Sequence, residues 1–429
     1  MKASKTKKYY ETYDYNSRRP VFVELESLRK DQQYRLMESK NFCMIPWTHI
    51  HGFPTGEAYP CCLGEMAHPI GNMRENTLEE IWHGDTYVGM REQMLADKPS
   101  RECTRCYEQE EQGFFSMRNS HNKHFGHHID KVDQGVNPDF ELVYWDIRFS
   151  NQCNLKCRSC GPMFSSLWFD DHVKMHGQKP NHKRIEWAGK NKSDIWEQMI
   201  PHIDHIEQIY FAGGEPLIMQ EHYNILKELV RRERFDVKLI YNTNFNETLY
   251  KDLDVLDYWG MFESVSIGAS LDASGSRAEL MRSGCNWNKI VHNRERMLEK
   301  CPEVDFYISP TVSLMNVLHV PDFHRAWVEC GLLKAQDLNV NILQSPDWYR
   351  ADCLPKELRA QATQKLEEHI AWLEPQDHLQ RATNGFRSTI SFMNNTDNTQ
   401  HLSKFNHVTK QLDAVRTENF YTVFPELQG

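Results

Sequence analysis

Long apolar runs are missing from this sequence. Nothing in its 429 residues approaches the roughly 20 consecutive apolar positions that span a bilayer. A secretory signal is also lacking: residues 1–8 are basic, but Tyr9, Tyr10, Glu11 and Asp14 follow where an apolar stretch would be needed. No internal repeat and no low-complexity tract is found. Neither sign of charge dominates, and the net charge of −10 argues against broad phosphate-backbone binding, so nucleic acid is not an expected partner. These absences point to a cytoplasmic protein. The 40% hydrophobic content is that of a globular chain, and its length exceeds one small core, so two or three units are expected.

Cysteine is what the chain has in quantity. There are 12, and eight of them fall between Cys43 and Cys160 in tight clusters, while Cys285, Cys301, Cys330 and Cys353 stand alone. Without an export signal, clustered cysteines read as metal ligands or catalytic thiols before they read as disulfides.

Periodicity divides the chain. Residues 1–41 form a polar, tyrosine-rich extension with helical spacing through Leu25, Leu28 and Leu36. Residues 42–118 carry cysteines, with a hairpin predicted across Thr55-Gly56 and a capping box at Thr77-Leu-Glu-Glu80 that predicts a helix from Leu78. Residues 119–140, rich in His, Asp and Gly, read as a linker. Strands are then predicted at 143–149, 206–212, 237–241, 264–270, 305–312 and 338–343, with amphipathic helices such as 221–232 and 287–300 between them. Repeated strand–helix units imply parallel strands with right-handed crossovers. Six units fall short of the eight of a full barrel, so residues 141–345 are expected to form a partial (β/α)6 barrel of the TIM type. Residues 346–429 turn helical.

The triad Cys153-Asn-Leu-Lys-Cys157-Arg-Ser-Cys160 directly follows the first barrel strand, on the face where parallel α/β folds carry their chemistry. Three thiols can hold three irons of a cubane cluster and leave the fourth open to a ligand. A structural zinc site would want a fourth protein ligand, and none lies close in sequence. Tyr210-Phe-Ala-Gly-Gly-Glu-Pro216 ends the second strand, with glycines that admit close approach and a carboxylate that can accept from an ammonium group.

The Cys-x3-Cys-x2-Cys spacing followed, one βα unit later, by Gly213-Gly214-Glu215-Pro216 resembles the radical S-adenosylmethionine (SAM) superfamily over about residues 143–344. The resemblance implies a [4Fe-4S] cluster on Cys153, Cys157 and Cys160, and SAM chelated by its open iron. It further implies that residues 213–216 bind the methionine amino group. More loosely, Asn242, Ser270, Arg282 and Asn316 resemble positions near the carboxylate or ribose of SAM. In that family the reduced cluster cleaves SAM, and the 5′-deoxyadenosyl radical removes a hydrogen atom from substrate. A reductase or flavodoxin-type electron donor is the implied partner.

Upstream, Cys43 is followed by twelve residues, Gly56, four residues and Cys61, and Cys103-Thr-Arg-Cys106 completes a set of four. This resembles the SPASM/twitch extension of radical SAM enzymes and implies an auxiliary iron–sulfur cluster of the [4Fe-4S] type on Cys43, Cys61, Cys103 and Cys106. A zinc ribbon has the same residue types and similar spacing. Cys62 would face the other way on a regular strand. Such extensions usually follow the barrel, whereas this one precedes it. His49 and His51 are same-face neighbours on the hairpin, and either could replace a cysteine ligand. His121, His124, His127 and His128 read as a solvated segment, and Cys285 as a plain thiol near the SAM contacts.

The implied function is radical modification of a substrate with help from the auxiliary cluster. Relatives with these extensions act on peptides or proteins by crosslinking, oxidation or epimerisation, which is the preferred reading. Others oxidise small alcohols or sugars. A non-catalytic electron-transfer protein is the alternative of another class, but it has no use for an amino-group site. No cobalamin-binding unit is evident.

Overall fold

The computed structural model describes Val23 and residues 27–428; Leu25 and the basic start of the chain lie outside them. One eight-stranded sheet runs through the molecule. Its strands are β1 (His49–Gly52), β2 (Glu57–Tyr59), β3 (Gly71–Asn72), β4 (Tyr144–Ile147), β5 (Gln208–Phe211), β6 (Lys238–Thr243), β7 (Val265–Ala269) and β8 (Asp305–Ile308). Their order across the sheet is β8-β7-β6-β5-β4-β1-β2-β3.

From β4 to β8 the strands are parallel and neighbours in sequence. The sixth unit continues as a two-residue parallel pair, β9 (Thr311–Val312) with β10 (Asn341–Ile342), beside a bridge from Ile308 to Leu338. This is the expected partial (β/α)6 barrel. Its inner strands are apolar because both faces are covered: Leu239, Tyr241, Ile267 and Ala269 are fully buried. Helices Gln220–Arg231 and Trp287–Lys300 pack on the outside with Ile225, Leu226, Leu229, Ile290 and Met297 turned inward, the spacing of an apolar helical stripe.

The cysteine-bearing segment does not stand apart from the barrel. Strand β1 pairs in parallel with β4, His51 opposite Asp146, so the hairpin β1–β2 extends the barrel sheet at its N-terminal edge. Parallel neighbours need a long crossover, and residues 73–143 supply it. The capping box appears as the sequence indicates: Glu80 N donates to Thr77 Oγ1 and Thr77 N to Glu80 Oε2. Arg91, fully buried between the rings of Trp82 and Tyr87, donates to the carbonyls of Pro46 and Trp82 and so ties the crossover to the turn before β1.

One expectation is corrected here. Residues 119–140 are not an extended linker but helix Met117–Phe125, capped by Ser116, running into a 3-10 segment Gly126–Gln134. The helix is held because Arg118, His121, Asn122 and Phe125 form one buried face at three- and four-residue spacing. Composition suggested a loop, and tertiary burial overrides it. His127 and His128 meet Glu207 at 2.8 and 2.9 Å, so the histidines are engaged and not solvated.

Past the barrel, helices Lys356–Leu373, Arg381–Asn395 and Leu402–Arg416 form the helical extension. It braces the cysteine triad. Arg158, fully buried between Cys157 and Cys160, is paired with Asp413 and donates to Glu418 at 2.6 Å, under the ring of Phe420. Arg416 pairs with buried Asp171 at 2.8 Å. Breaking one arm of a buried ion pair strands a charge. Asp413→Ala should therefore destabilise the cluster-free protein by about 2 kcal/mol, read as a lower urea midpoint. An unchanged midpoint would remove the brace from the account.

Candidate functional site

Every loop that follows a barrel strand contributes to one cavity of about 530 Å³, within the usual size of a small-ligand site. Its wall holds Cys153, Cys157 and Cys160 from the loop after β4, 212–215 after β5, 242–244 at the end of β6, Ser270 after β7, and Thr311 and Gln344 from the last unit. The triad and the glycine motif, read separately from sequence, thus share one wall.

The glycines act on the cysteine loop itself. A Cβ on Gly214 would lie 2.1 Å from the carbonyl oxygen of Gln152, and Gly213 has φ +115°, where side chains are strained. Gly214 N and Glu215 N donate to the carbonyls of Ser150 and Gln152. The backbone of the motif is therefore laced to the start of the triad loop. Arg282 and Ser283 pair with Cys157 and Lys156 across its far side, and Trp168 Nε1 donates to the Cys157 carbonyl at 2.8 Å.

Glu215 is the hub of the next layer. It is buried, and its carboxylate accepts from Leu217 N (3.1 Å), Thr243 Oγ1 (2.7 Å) and Asn244 N (2.7 Å). Burial pushes it up to about 7, against which these three donors act in part. Asn244 also donates to Asn154, inside the triad loop. Arg282 donates to Asp272 at 2.8 Å and lies 3.6 Å from Cys157 Sγ; burial opposes its charge, but Asp272 and Cys157 hold the guanidinium protonated.

Of the loosely matched residues, Asn242, Ser270 and Arg282 line the cavity. Pro216 is buried behind the wall at the start of a 3-10 turn. Asn316 is not part of the wall: fully buried, it accepts from Ser313 N and donates to the carbonyls of Asp272 and Thr311, so it shapes the loop that holds Asp272. Cys285 is half-buried and outside the wall. Arg148, Tyr210 and Phe164 do line the cavity without having been singled out. Arg148 lies one residue beyond β4, where alternation from Asp146 would have put it on the inner face.

A second, much smaller cavity of about 20 Å³ is walled by Cys43, Cys61, Cys103, Cys106, Arg118 and His121, with Ile45, Pro46, Pro60 and Met90. These are the four cysteines selected from spacing. Cys62 is not among them, and the charges of Asp146 and Arg148 act on it, which places it toward the barrel. Helix Met117–Phe125 clamps the first thiol from both sides. Asn122 accepts from Met44 N and donates to Phe42 O, and Arg118 donates to Phe42 O while pairing with Glu110. Sequence reading missed this clamp, although the spacing of Arg118, His121, Asn122 and Phe125 carries it.

Both thiol sets suit a cationic cluster. Burial first, and then the neighbouring thiols, push each ionisation up: Cys43 and Cys160 to about 12, and Cys61, Cys103 and Cys153 likewise upward. Thiolates that repel one another in a dry site are stabilised together only by a central positive charge.

Residues 43–107 match the SPASM family, an iron–sulfur cluster-binding domain. This segment is a SPASM domain. It lies ahead of the barrel cavity that brings the triad and the glycine motif together. Among solved structures, the chain is similar to native anSMEcpe with bound AdoMet, at 19% identity over 52% of this chain and 58% of that one, TM-score 0.36. It is also similar to Streptococcus suis SuiB bound to S-adenosylmethionine, at 14% identity over 67% and 64%, TM-score 0.36. SuiB bound to its precursor peptide SuiA aligns at 15% identity over 64% and 60%, TM-score 0.35. The chain thus spans a little over half the length of anSMEcpe. No curated protein matches it. Among the described residues no helix is long and apolar enough to cross a membrane.

Two predictions follow from this geometry. Glu215 keeps its proton longer in the native than in the unfolded chain, so stability falls as pH rises from its ordinary 4.5 through about 7. Cluster-free wild type should lose about 3 kcal/mol relative to Glu215→Gln across that window; parallel pH profiles would contradict the burial. Second, the anaerobically reconstituted protein should hold about eight irons. Asn122→Ala should lower the SPASM share, whereas Cys62→Ala should leave all the iron in place. Loss of iron in Cys62→Ala would exchange the roles given to Cys61 and Cys62.

Proposed function

We propose that the protein reductively cleaves SAM at the barrel cavity and uses the resulting radical to modify a peptide or protein side chain. The observation that carries the reading is the lacing of residues 213–215 to the triad loop, which gives an amino-group acceptor and three cluster ligands a single cavity. A non-catalytic electron carrier has no need of that acceptor. Cys153, Cys157 and Cys160 would hold a [4Fe-4S] cluster, which would supply the electron for reductive cleavage of SAM.

The protein's own residues bind and orient. Glu215, fixed by its three donors, keeps acceptor capacity for an ammonium group at the cavity wall. Arg282, held charged by Asp272, can meet a carboxylate, and Asn242 and Ser270 offer polar groups suited to a ribose. Fixed geometry of this kind holds the reacting carbon near its target and excludes competing water.

Support for a peptide comes from the cavity mouth. Phe164 lines it, and Met163, Phe164 and Leu167 are 40%, 37% and 40% exposed, an apolar rim suited to side chains of a bound segment. Phe53 of the SPASM hairpin stands 6.2 Å from Phe164 and under Arg148, so the auxiliary unit reaches that rim. Oxidation of a small alcohol or sugar is the second reading, favoured by the hydrogen-bonding groups deeper in the cavity. The four thiols around the small cavity, with Arg118 beside them, would suit a cluster that takes an electron from a substrate radical.

With dithionite under anaerobic conditions, the reconstituted protein should convert SAM to 5′-deoxyadenosine and methionine without substrate. The Cys153→Ala, Cys157→Ala, Cys160→Ala variant should make none. Undiminished cleavage by that variant would end this reading. Cys103→Ala with Cys106→Ala should still cleave SAM but yield little modified product.

A further inference from the structure

Between the thiol cavity and the barrel cavity lies a group of buried polar residues that neither site uses. His49 and His51 project from β1, and Asp146 from β4, where the register sets His51 opposite Asp146. All three residues are 0% exposed. Their candidate ligand atoms, one from each residue, lie within 4.8 Å of one another.

The hydrogen-bond pattern is that of a ligand set, not of a satisfied core. His49 Nδ1 sits 2.8 Å from the carbonyl oxygen of Tyr144, and its ring stacks on that tyrosine at 4.2 Å. A carbonyl only accepts, so Nδ1 carries the proton and the lone pair is on Nε2, which has no partner. A backbone carbonyl behind an imidazole is the usual support of a metal-ligating histidine. His51 Nδ1 stands 2.9 Å from Asp146 Oδ2 as an ion-pair contact, and His51 Nε2 has no partner. Asp146 Oδ1 has no hydrogen-bond partner, and Arg148 stands 3.8 Å from it. Buried polar atoms left in this number call for a bound ion or water.

We propose that His49, His51 and Asp146 bind a divalent first-row transition-metal ion, a mononuclear site where the SPASM strand meets the barrel. Two imidazoles and one carboxylate are the donors of Zn²⁺ or Fe²⁺; Mg²⁺ and Ca²⁺ prefer all-oxygen sets, and Cu⁺ prefers sulfur. Metal–ligand bonds near 2.0 Å separate tetrahedral ligands by about 3.4 Å, a spacing this group can adopt with small rotations. The ion staples β1 to β4. It also places a fixed positive charge between His121 on the thiol cavity and Arg148 on the barrel cavity. The site does not depend on the activity proposed above.

The test uses full-length, cluster-reconstituted protein incubated with two equivalents of Zn²⁺ and desalted. Elemental analysis should find one zinc per chain in addition to the iron. His51→Gln and Asp146→Asn should weaken zinc binding at least tenfold with iron unchanged, and Cys103→Ala with Cys106→Ala should keep the zinc. X-ray absorption at the zinc edge of wild type, which needs no variant, should show nitrogen and oxygen ligands with imidazole outer-shell scattering. Absence of zinc, sulfur in the first shell, or zinc lost with the cysteine variant but kept in Asp146→Asn would each overturn the proposal.

Discussion

The parallel pairing of β1 with β4 is the contact on which the arrangement rests. A strand placed before a barrel has to join its edge in one of two directions. Parallel joining forces a long return path. That path, residues 73–143, is where Cys103, Cys106 and the helix clamping Cys43 reside. The auxiliary thiols are therefore assembled by the same crossover that attaches their hairpin to the barrel. An unusual chain order, with the SPASM unit first, still gives a unit sharing the barrel's sheet.

The same logic governs the other cavity. The triad loop is held by contacts from four elements distant in sequence: the glycine backbone after β5, Asn244 after β6, the strand at Arg282–Ser283, and Asp413 and Glu418 of the helical extension. Each of these contacts is made to the loop itself. The Gly213–Pro216 motif thus has a packing task, and a side chain at Gly214 would collide with the triad loop. The helical extension, whose purpose composition leaves open, supplies the carboxylates that let Arg158 be buried beside the thiols.

Much of this was legible in the sequence because it depends on local period or fixed spacing. The six strand–helix units, the capping box at Thr77 and the triad all follow from patterns within a few residues. What was not legible depends on distant partners. Residues 119–140 look like a linker until the face of Arg118, His121 and Asn122 finds Cys43. Nor does spacing show that Asn316 holds the loop of Asp272 and Ser313. His49 and His51 were visible as a pair, but Asp146, 95 residues beyond the latter in sequence, was not, because only strand register brings it there.

The two thiol sets differ in kind: three cysteines open on a large cavity, and four close around a small one. Electron paramagnetic resonance of the reduced, reconstituted protein, recorded with and without SAM, reads that difference directly. Two cluster signals are expected, of which SAM shifts one and leaves the other unchanged. The Cys153→Ala, Cys157→Ala, Cys160→Ala variant should retain only the unresponsive signal. A single signal in wild type, or a SAM response that survives in that variant, would contradict the assignment of the open site to the barrel.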